Sequence, residues 1–194
     1  MATQATITGA TSKVSIAGRV IDGVTDRPLA GVAVAITTGA RAPHQATTAA
    51  DGAFRFVNLP DGEYTLSFDL PSAGRRYGTT TVGITLKDGA REVRTVKLPP
   101  TGIAGKIDYP DQDPRSGTSM YPLVRLPGSG EEVYGEADGS YRVLAIEPGL
   151  GTPPVPRSLI ITVPGYEPLA FTALIVRGQV CVVDSQKLTA STNR

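Results

Sequence analysis

One passage occurs twice in this sequence, at a constant distance of 87 residues. Residues 51–64 read DGAFRFVNLPDGEY, and residues 138–149 read DGSYRVLAIEPG. The same offset aligns residues 16–62 with residues 103–149 without a gap. Solenoid repeats have periods of roughly 20–50 residues, so a period of this length indicates repeated domains. The sequence therefore predicts two domains that share one fold.

Within each copy the residues alternate between apolar and polar, as they do in half-buried strands. In the first copy Phe54 and Phe56 flank Arg55, with a DG turn before them at 51–52 and a PDG turn after them at 60–62. Glycine in such turns supplies the positive φ that a tight hairpin requires. The repeated passage therefore predicts a hairpin with an aromatic pair in the core.

The fold class predicted is all-β: two tandem antiparallel β-sandwiches of the Ig-like or transthyretin-like kind. Short strands recur at short spacing between turns, and no segment carries apolar residues at helical spacing between proper caps. The predicted boundaries are an N-terminal arm, a first sandwich, a linker, a second sandwich and a C-terminal tail, at residues 1–13, 14–98, 99–101, 102–188 and 189–194.

Two stretches of the first copy carry a family resemblance. GRVIDGVTDRPLAGVAVAI (18–36) and TTAADGAFRFVNLPDGEYTLSF (47–68) resemble the carboxypeptidase regulatory-like domain, a transthyretin-like (prealbumin-like) β-sandwich. They are also similar to the B-type stalk repeats of bacterial collagen adhesins. Residues 102–188 resemble a divergent second copy. The resemblance implies an accessory role as stalk, spacer or docking module, and it implies neither catalysis nor a cofactor.

The charges of the chain nearly cancel, with 19 Lys and Arg against 18 Asp and Glu. This balance lacks the basic excess of a nucleic-acid-binding protein. No apolar run reaches the length of about 20 residues that a membrane span needs. The first residues lack the basic and apolar regions of a signal peptide. We therefore expect synthesis in the cytoplasm, followed by retention there or by release as part of a particle.

Few residues offer the chemistry of a catalytic or metal site. His44 and Cys181 are the sole histidine and cysteine, whereas zinc sites draw on several such ligands. We expect His44 to lie in a surface loop and Cys181 to be packed within a strand. Asp108, Asp111 and Asp113 are candidate calcium ligands, because calcium takes 6–8 oxygen ligands. The alternative for these aspartates is an ordinary acidic loop.

Two segments are candidates for binding a partner. Arg75, Arg76 and Tyr77 form a basic and aromatic loop that suits an acidic partner or a sugar. After Gly149 the second copy inserts LGTPPVPRS, in which Pro153, Pro154 and Pro156 favour an extended chain that could lie on another protein. For each segment the alternative is a solvated loop.

These features favour a non-enzymatic structural or adaptor subunit. The context expected is a larger bacterial or phage-tail-like assembly of the contractile injection type, in which other subunits, or further copies of this chain, are the partners. Docking would use the terminal arms, the linker and the proline-rich insertion. A glycan- or ligand-binding surface module is the alternative, and a hydrolase that uses His44 ranks third.

Overall fold

The computed structural model describes residues 13–38, 44–88, 92–109 and 120–191. These residues form fifteen β-strands and one 3-10 turn, Pro71–Ala73. The strands are β1 Val14–Asp22, β2 Ala33–Thr38, β3 Gln45–Thr47, β4 Ala53–Val57, β5 Gly62–Asp69, β6 Thr80–Leu86, β7 Glu92–Leu98, β8 Gly102–Asp108, β9 Leu123–Arg125, β10 Glu132–Tyr134, β11 Ser140–Leu144, β12 Val155–Thr162, β13 Leu169–Ile175, β14 Val180–Val182 and β15 Gln186–Lys187. The predicted all-β fold class is confirmed. No helix in the described ranges is long and apolar enough to cross a membrane.

The chain divides into two compact units. Unit 1 comprises Met1–Ile21, Arg27–Phe68 and Thr81–Val96, and unit 2 comprises Asp22–Asp26, Asp69–Thr80 and Lys97–Arg194. Two loop segments that precede the second copy in sequence therefore group with unit 2. The domain boundaries given by the sequence stay predictions.

The two units contain sheets of the same strand order. Unit 1 has the sheets β4-β1-β7 and β3-β2-β5-β6, and unit 2 has β11-β8-β14 and β10-β9-β12-β13. Each strand of the first list has its counterpart in the second, and β4 and β11 lie 87 residues apart at both ends. The repeated sequence thus forms a repeated pair of sheets.

Two pairings in unit 2 differ from the antiparallel prediction. Strand β14 pairs in parallel with β8, with Cys181 opposite Ile103, and β15 also pairs with β8 in parallel. The chain leaves β13 in one sheet and enters β14 in the other, and such a crossover allows a parallel partner. Sequence alternation alone does not reveal this direction.

Alternating side chains of each sheet fill the cores. In unit 1, Phe54 is 5 % exposed and its ring meets the Phe68 ring edge-on, with centroids 5.4 Å apart. In unit 2, the Tyr109 and Tyr166 rings lie 5.5 Å apart in an equally buried cluster. Such aromatic contacts contribute beyond the area that they bury.

A glycine faces an aromatic residue across the central strands of both units. Gly18 of β1 lies opposite Phe54, and Gly105 of β8 lies opposite Tyr141. A Cβ atom on Gly18 would come within 2.7 Å of the Phe54 ring, and one on Gly105 within 2.7 Å of Cζ of Tyr141. The rings therefore occupy the space that any larger residue would need, which explains why both copies have glycine here.

Tyr141 differs from Phe54 by a hydroxyl that has no hydrogen-bond partner among the described residues. Tyr141 is 4 % exposed, and burial raises its pKa to about 12. An unsatisfied buried hydroxyl costs about 1–3 kcal/mol. We expect Tyr141→Phe to raise the free energy of unfolding by about 1 kcal/mol in urea denaturation.

Tyr64→Phe is the matched control, because the Tyr64 hydroxyl donates a 2.7 Å hydrogen bond to the Pro60 carbonyl. This variant should lower the free energy of unfolding by about 1 kcal/mol. Equal losses in the two variants would contradict the assignment of Tyr141 as unsatisfied.

Candidate docking surfaces

The loop Asp69–Thr80 carries the predicted partner residues Arg75, Arg76 and Tyr77. It begins with the turn Pro71–Ala73 and reverses at Gly74, whose φ of 62° suits glycine. The loop belongs to unit 2. Its position brings the three residues close to carboxylates and carbonyls of that unit.

The two arginines of this loop bind groups of unit 2. The backbone N–H of Arg75 donates to Oε2 of Glu147 at 3.0 Å, and its guanidinium donates to the Gly149 carbonyl. The Arg76 guanidinium donates to Glu131 at 2.8 Å and to the Ala145 carbonyl at 2.9 Å. Arg75 stays exposed, whereas Arg76 is half-buried.

Tyr77 is paired with a buried carboxylate. Its hydroxyl donates to Oδ2 of Asp22 at 2.9 Å, while Oδ1 of Asp22 accepts from the N–H groups of Val24 and Thr25. Burial favours a raised pKa for Asp22, but these hydrogen bonds outweigh it and hold the pKa below 3.8. Burial and the neighbouring Asp22 raise the pKa of Tyr77 to about 12.

Sequence reasoning missed two residues that hold this loop. Thr101 is fully buried, and its hydroxyl donates to the Arg75 carbonyl and accepts from the N–H of Gly178, both at 2.8 Å. Arg177 donates to the Tyr77 carbonyl at 2.7 Å and to Asp69 at 2.8 Å. Partner binding by Arg75, Arg76 and Tyr77 stays a prediction. Thr101 of the predicted linker is fully buried, so its side chain has no exposed surface with which to bind a partner.

The proline-rich insertion is shorter than the sequence indicates. Strand β12 begins at Val155, whereas the offset of 87 would begin it at Gly149, so the extra residues are 149–154. Val155 is buried and pairs with Ile175, which extends the strand beyond the predicted start at Leu159.

The three prolines of this segment are all exposed. Pro153 and Pro154 precede β12, and Pro156 lies within it, opposite Leu174. Strand β9 pairs with β12 only from Ile160 onward, so Pro156 lacks a neighbour on that side in the described sheet and its missing N–H is tolerated. Partner binding by these prolines stays a prediction.

The remaining candidate residues form no metal cluster in the described ranges. His44 is exposed beside β3, and its carbonyl accepts from Ile36. Cys181 is a partly buried free cysteine in β14. Asp108 accepts a hydrogen bond from Ser185, and the other two predicted calcium ligands, Asp111 and Asp113, lie outside the described residues.

Each unit has a hollow on the sheet that carries its glycine–aromatic pair. The unit 1 hollow is lined by β1, β4 and β7 residues including Ala17, Arg19 and Arg55. The unit 2 hollow has equivalent residues, Lys106 and Arg142 among them. Both hollows measure about 590 Å³, within the range of binding sites. The repeat thus places two cations beside the same small-residue surface in each copy.

The rims of the two hollows differ. Tyr134 and Val182 line the unit 2 hollow and are 68 % and 81 % exposed. The residue 87 positions before Tyr134 is Thr47, which is exposed. Sequence reasoning did not single out either position, although the gapless alignment of the two copies pairs Thr47 with Tyr134.

Residues 15–99 match the family model described as the carboxypeptidase regulatory-like domain. This segment is a carboxypeptidase regulatory-like domain. The predicted recognition is thereby confirmed, and the shared strand order relates unit 2 to this domain. No curated protein sequence shows significant similarity to the chain.

Several solved structures resemble the chain at low identity. The Bacillus anthracis TIE protein is 18% identical, with 91% of this chain and 34% of that protein covered and a TM-score of 0.43. The shaft pilin SpaA from Lactobacillus rhamnosus GG is 12% identical, with 95% and 100% covered and a TM-score of 0.41. BcpA, the major pilin subunit of Bacillus cereus, is 14% identical, with 90% and 69% covered and a TM-score of 0.40.

The buried Asp22–Tyr77 pair predicts a pH dependence of stability. Because the pKa of Asp22 is lowered in the folded protein, its ionised form stabilises the fold above its ordinary pKa. That contribution is lost as the pH falls through the lowered value. We expect Asp22→Asn to lower the free energy of unfolding by about 1–3 kcal/mol at pH 7. The difference from the unmodified protein should shrink below pH 3.8.

Urea unfolding of both proteins between neutral and acidic pH measures this difference. Asp51→Asn is the control, because Asp51 is 61% exposed and lies 3.8 Å from Arg19, an arrangement that contributes little. A difference for Asp22→Asn that is independent of pH would contradict the role given to its charge.

Proposed function

We propose that the chain is a non-enzymatic structural or adaptor subunit that docks within a larger bacterial assembly, such as a phage-tail-like particle. The observation that supports this proposal is the distribution of exposed apolar side chains. Seven large hydrophobic residues are exposed in the described ranges, and six of them belong to unit 2. A contiguous exposed apolar patch commonly marks a surface that another molecule covers, and two of these residues, Tyr134 and Val182, line the same hollow.

The most exposed of these residues is Leu150, at 92 %, in the loop before Pro153 and Pro154. It is followed by Val182 and Tyr134. Val57 is the exception, lying in unit 1 at 38 % exposed. The distribution therefore favours unit 2 as the docking unit, and the carboxypeptidase regulatory-like domain in unit 1 as the accessory module.

A structural role also fits the chemistry of the described side chains. The sole histidine is exposed beside β3, and the buried carboxylate Asp22 is bonded to Tyr77 and to backbone N–H groups. The buried tyrosines lie in the two cores. These positions suit a scaffold whose surfaces bind other proteins, and the proposal assigns no catalytic residue.

Sedimentation of the native protein tests this function. In a density gradient of a lysate from the source cells, we expect the chain to sediment with much larger particles, well ahead of a monomer of 20.2 kDa. Leu150→Ser should move at least about half of the protein to the monomer fraction, because losing a buried leucine contact costs about 2–3 kcal/mol.

Val57→Ser is the matched control, since it removes an exposed apolar residue from unit 1. This variant should sediment like the unmodified protein. An unmodified chain found wholly in the monomer fraction would contradict the proposed function.

A further inference from the structure

We propose that the unit 2 hollow binds an extended protein segment that carries acidic residues at alternate positions beside an apolar residue. The hollow lies on the sheet β11-β8-β14, with Tyr134 and Val182 at its rim and Lys106 and Arg142 along its sides. This inference rests on the proposed docking function and names the chemistry of the partner.

A comparison of the two copies of the repeat shows which large residues the shared fold requires. Unit 1 builds the same sheets with Thr47 at the position of Tyr134. The fold therefore does not require a large apolar residue at this position. Fully burying such a side chain contributes about 1.5–3 kcal/mol, and at 68 % and 81 % exposed Tyr134 and Val182 retain most of that gain for a partner.

The charges of the hollow favour an acidic partner. Lys106 and Arg142 make no salt bridge within the described ranges. Among the described residues, Glu136 is the one acidic residue that lines the hollow, so cations exceed anions there. The equivalent residues Arg19 and Arg55 are also basic, so both copies keep this pair of charges. Tyrosine and arginine are also the residues enriched at the energetic centres of protein interfaces.

The spacing of the two cations suits an extended chain. Arg142 lies opposite Ala104 and Lys106 lies opposite Ser140, so the cations are diagonal neighbours on paired strands. Such neighbours are about 7–8 Å apart. Alternate residues of an extended segment are separated by about 7 Å and point the same way. Two acidic residues at positions i and i+2 would therefore meet Arg142 and Lys106 together.

The small side chains between the cations admit a backbone. Ala104 and Ser140 lie on the same face as Lys106 and Arg142, and all four line the hollow. An apolar residue of the segment could then contact Tyr134 or Val182 at the rim. The mixture of a charged pair and exposed apolar residues favours a polypeptide over a sugar, since the rim presents an aliphatic side chain as well as an aromatic ring.

Selection from a random heptapeptide library displayed on phage tests the proposal with the full-length chain as bait. We expect the enriched peptides to carry two acidic residues at alternate positions with an apolar residue beside them. Calorimetry with the most enriched peptide should show one site. Affinity should fall at least about tenfold in the variant that combines Tyr134→Thr with Val182→Thr, and also in Arg142→Gln.

Leu174→Thr is the matched control, because Leu174 is 57 % exposed on β13 and does not line the hollow. Its affinity should stay unchanged, and all variants should keep the melting temperature of the unmodified chain, since each position is exposed. Enriched peptides without acidic residues, no enrichment, or equal binding by the double variant would overturn the proposal. Binding of an acidic oligosaccharide that the double variant loses, with no peptide enriched, would overturn it in favour of a glycan.

Sedimentation distinguishes this proposal from the function on which it rests. If the double variant stays with the large particles and no peptide binds, the hollow is not the docking site but the structural role stands. If the unmodified chain is monomeric in lysate while acidic peptides bind the hollow, the assembly role fails and the peptide site stands.

Discussion

The contact between a glycine and an aromatic ring on paired strands is the constraint on which the rest of this structure depends. Gly18 lies opposite Phe54, and Gly105 lies opposite Tyr141. Because glycine has no side chain, each aromatic ring packs into the core against the backbone of the neighbouring strand. Side chains alternate across a strand, so fixing this pair toward the core directs Arg19 and Arg55, and likewise Lys106 and Arg142, to the outer face. The core contact therefore determines where each hollow and its cations lie.

Much of the fold could be predicted, because it is encoded in local patterns that occur twice. The alternation around Phe54, the DG turns and the offset of 87 residues gave the sheets and their repetition. The short strands β3 and β10 were not predicted, because three residues are too few to show an alternation of apolar and polar side chains. The parallel pairing of β14 and the early start of β12 at Val155 depend on partners far along the chain, which alternation does not report.

The candidate surfaces were harder to predict than the strands. Arg76 and Tyr77 suggested an exposed binding tip, yet their polar groups bind Glu131 and Asp22, each 55 residues away. No local pattern encodes such pairings. One signal of the unit 2 hollow is present in the sequence, because the two copies align Thr47 with Tyr134 without a gap. A polar residue replaced by a large apolar one at an exposed position is the signal. Recognising it required the exposure that the structure supplies.

In this account, one scaffold is used twice and the exposed residues around its hollow decide which copy binds. Transferring the aromatic rim residue to unit 1 tests that claim most directly, because Arg19 and Arg55 already supply the cations there. Calorimetry of the chain carrying Thr47→Tyr, titrated with the library-selected acidic peptide, should show two sites where the unmodified chain shows one. A stoichiometry that stays at one, with the variant fully folded, would contradict the account.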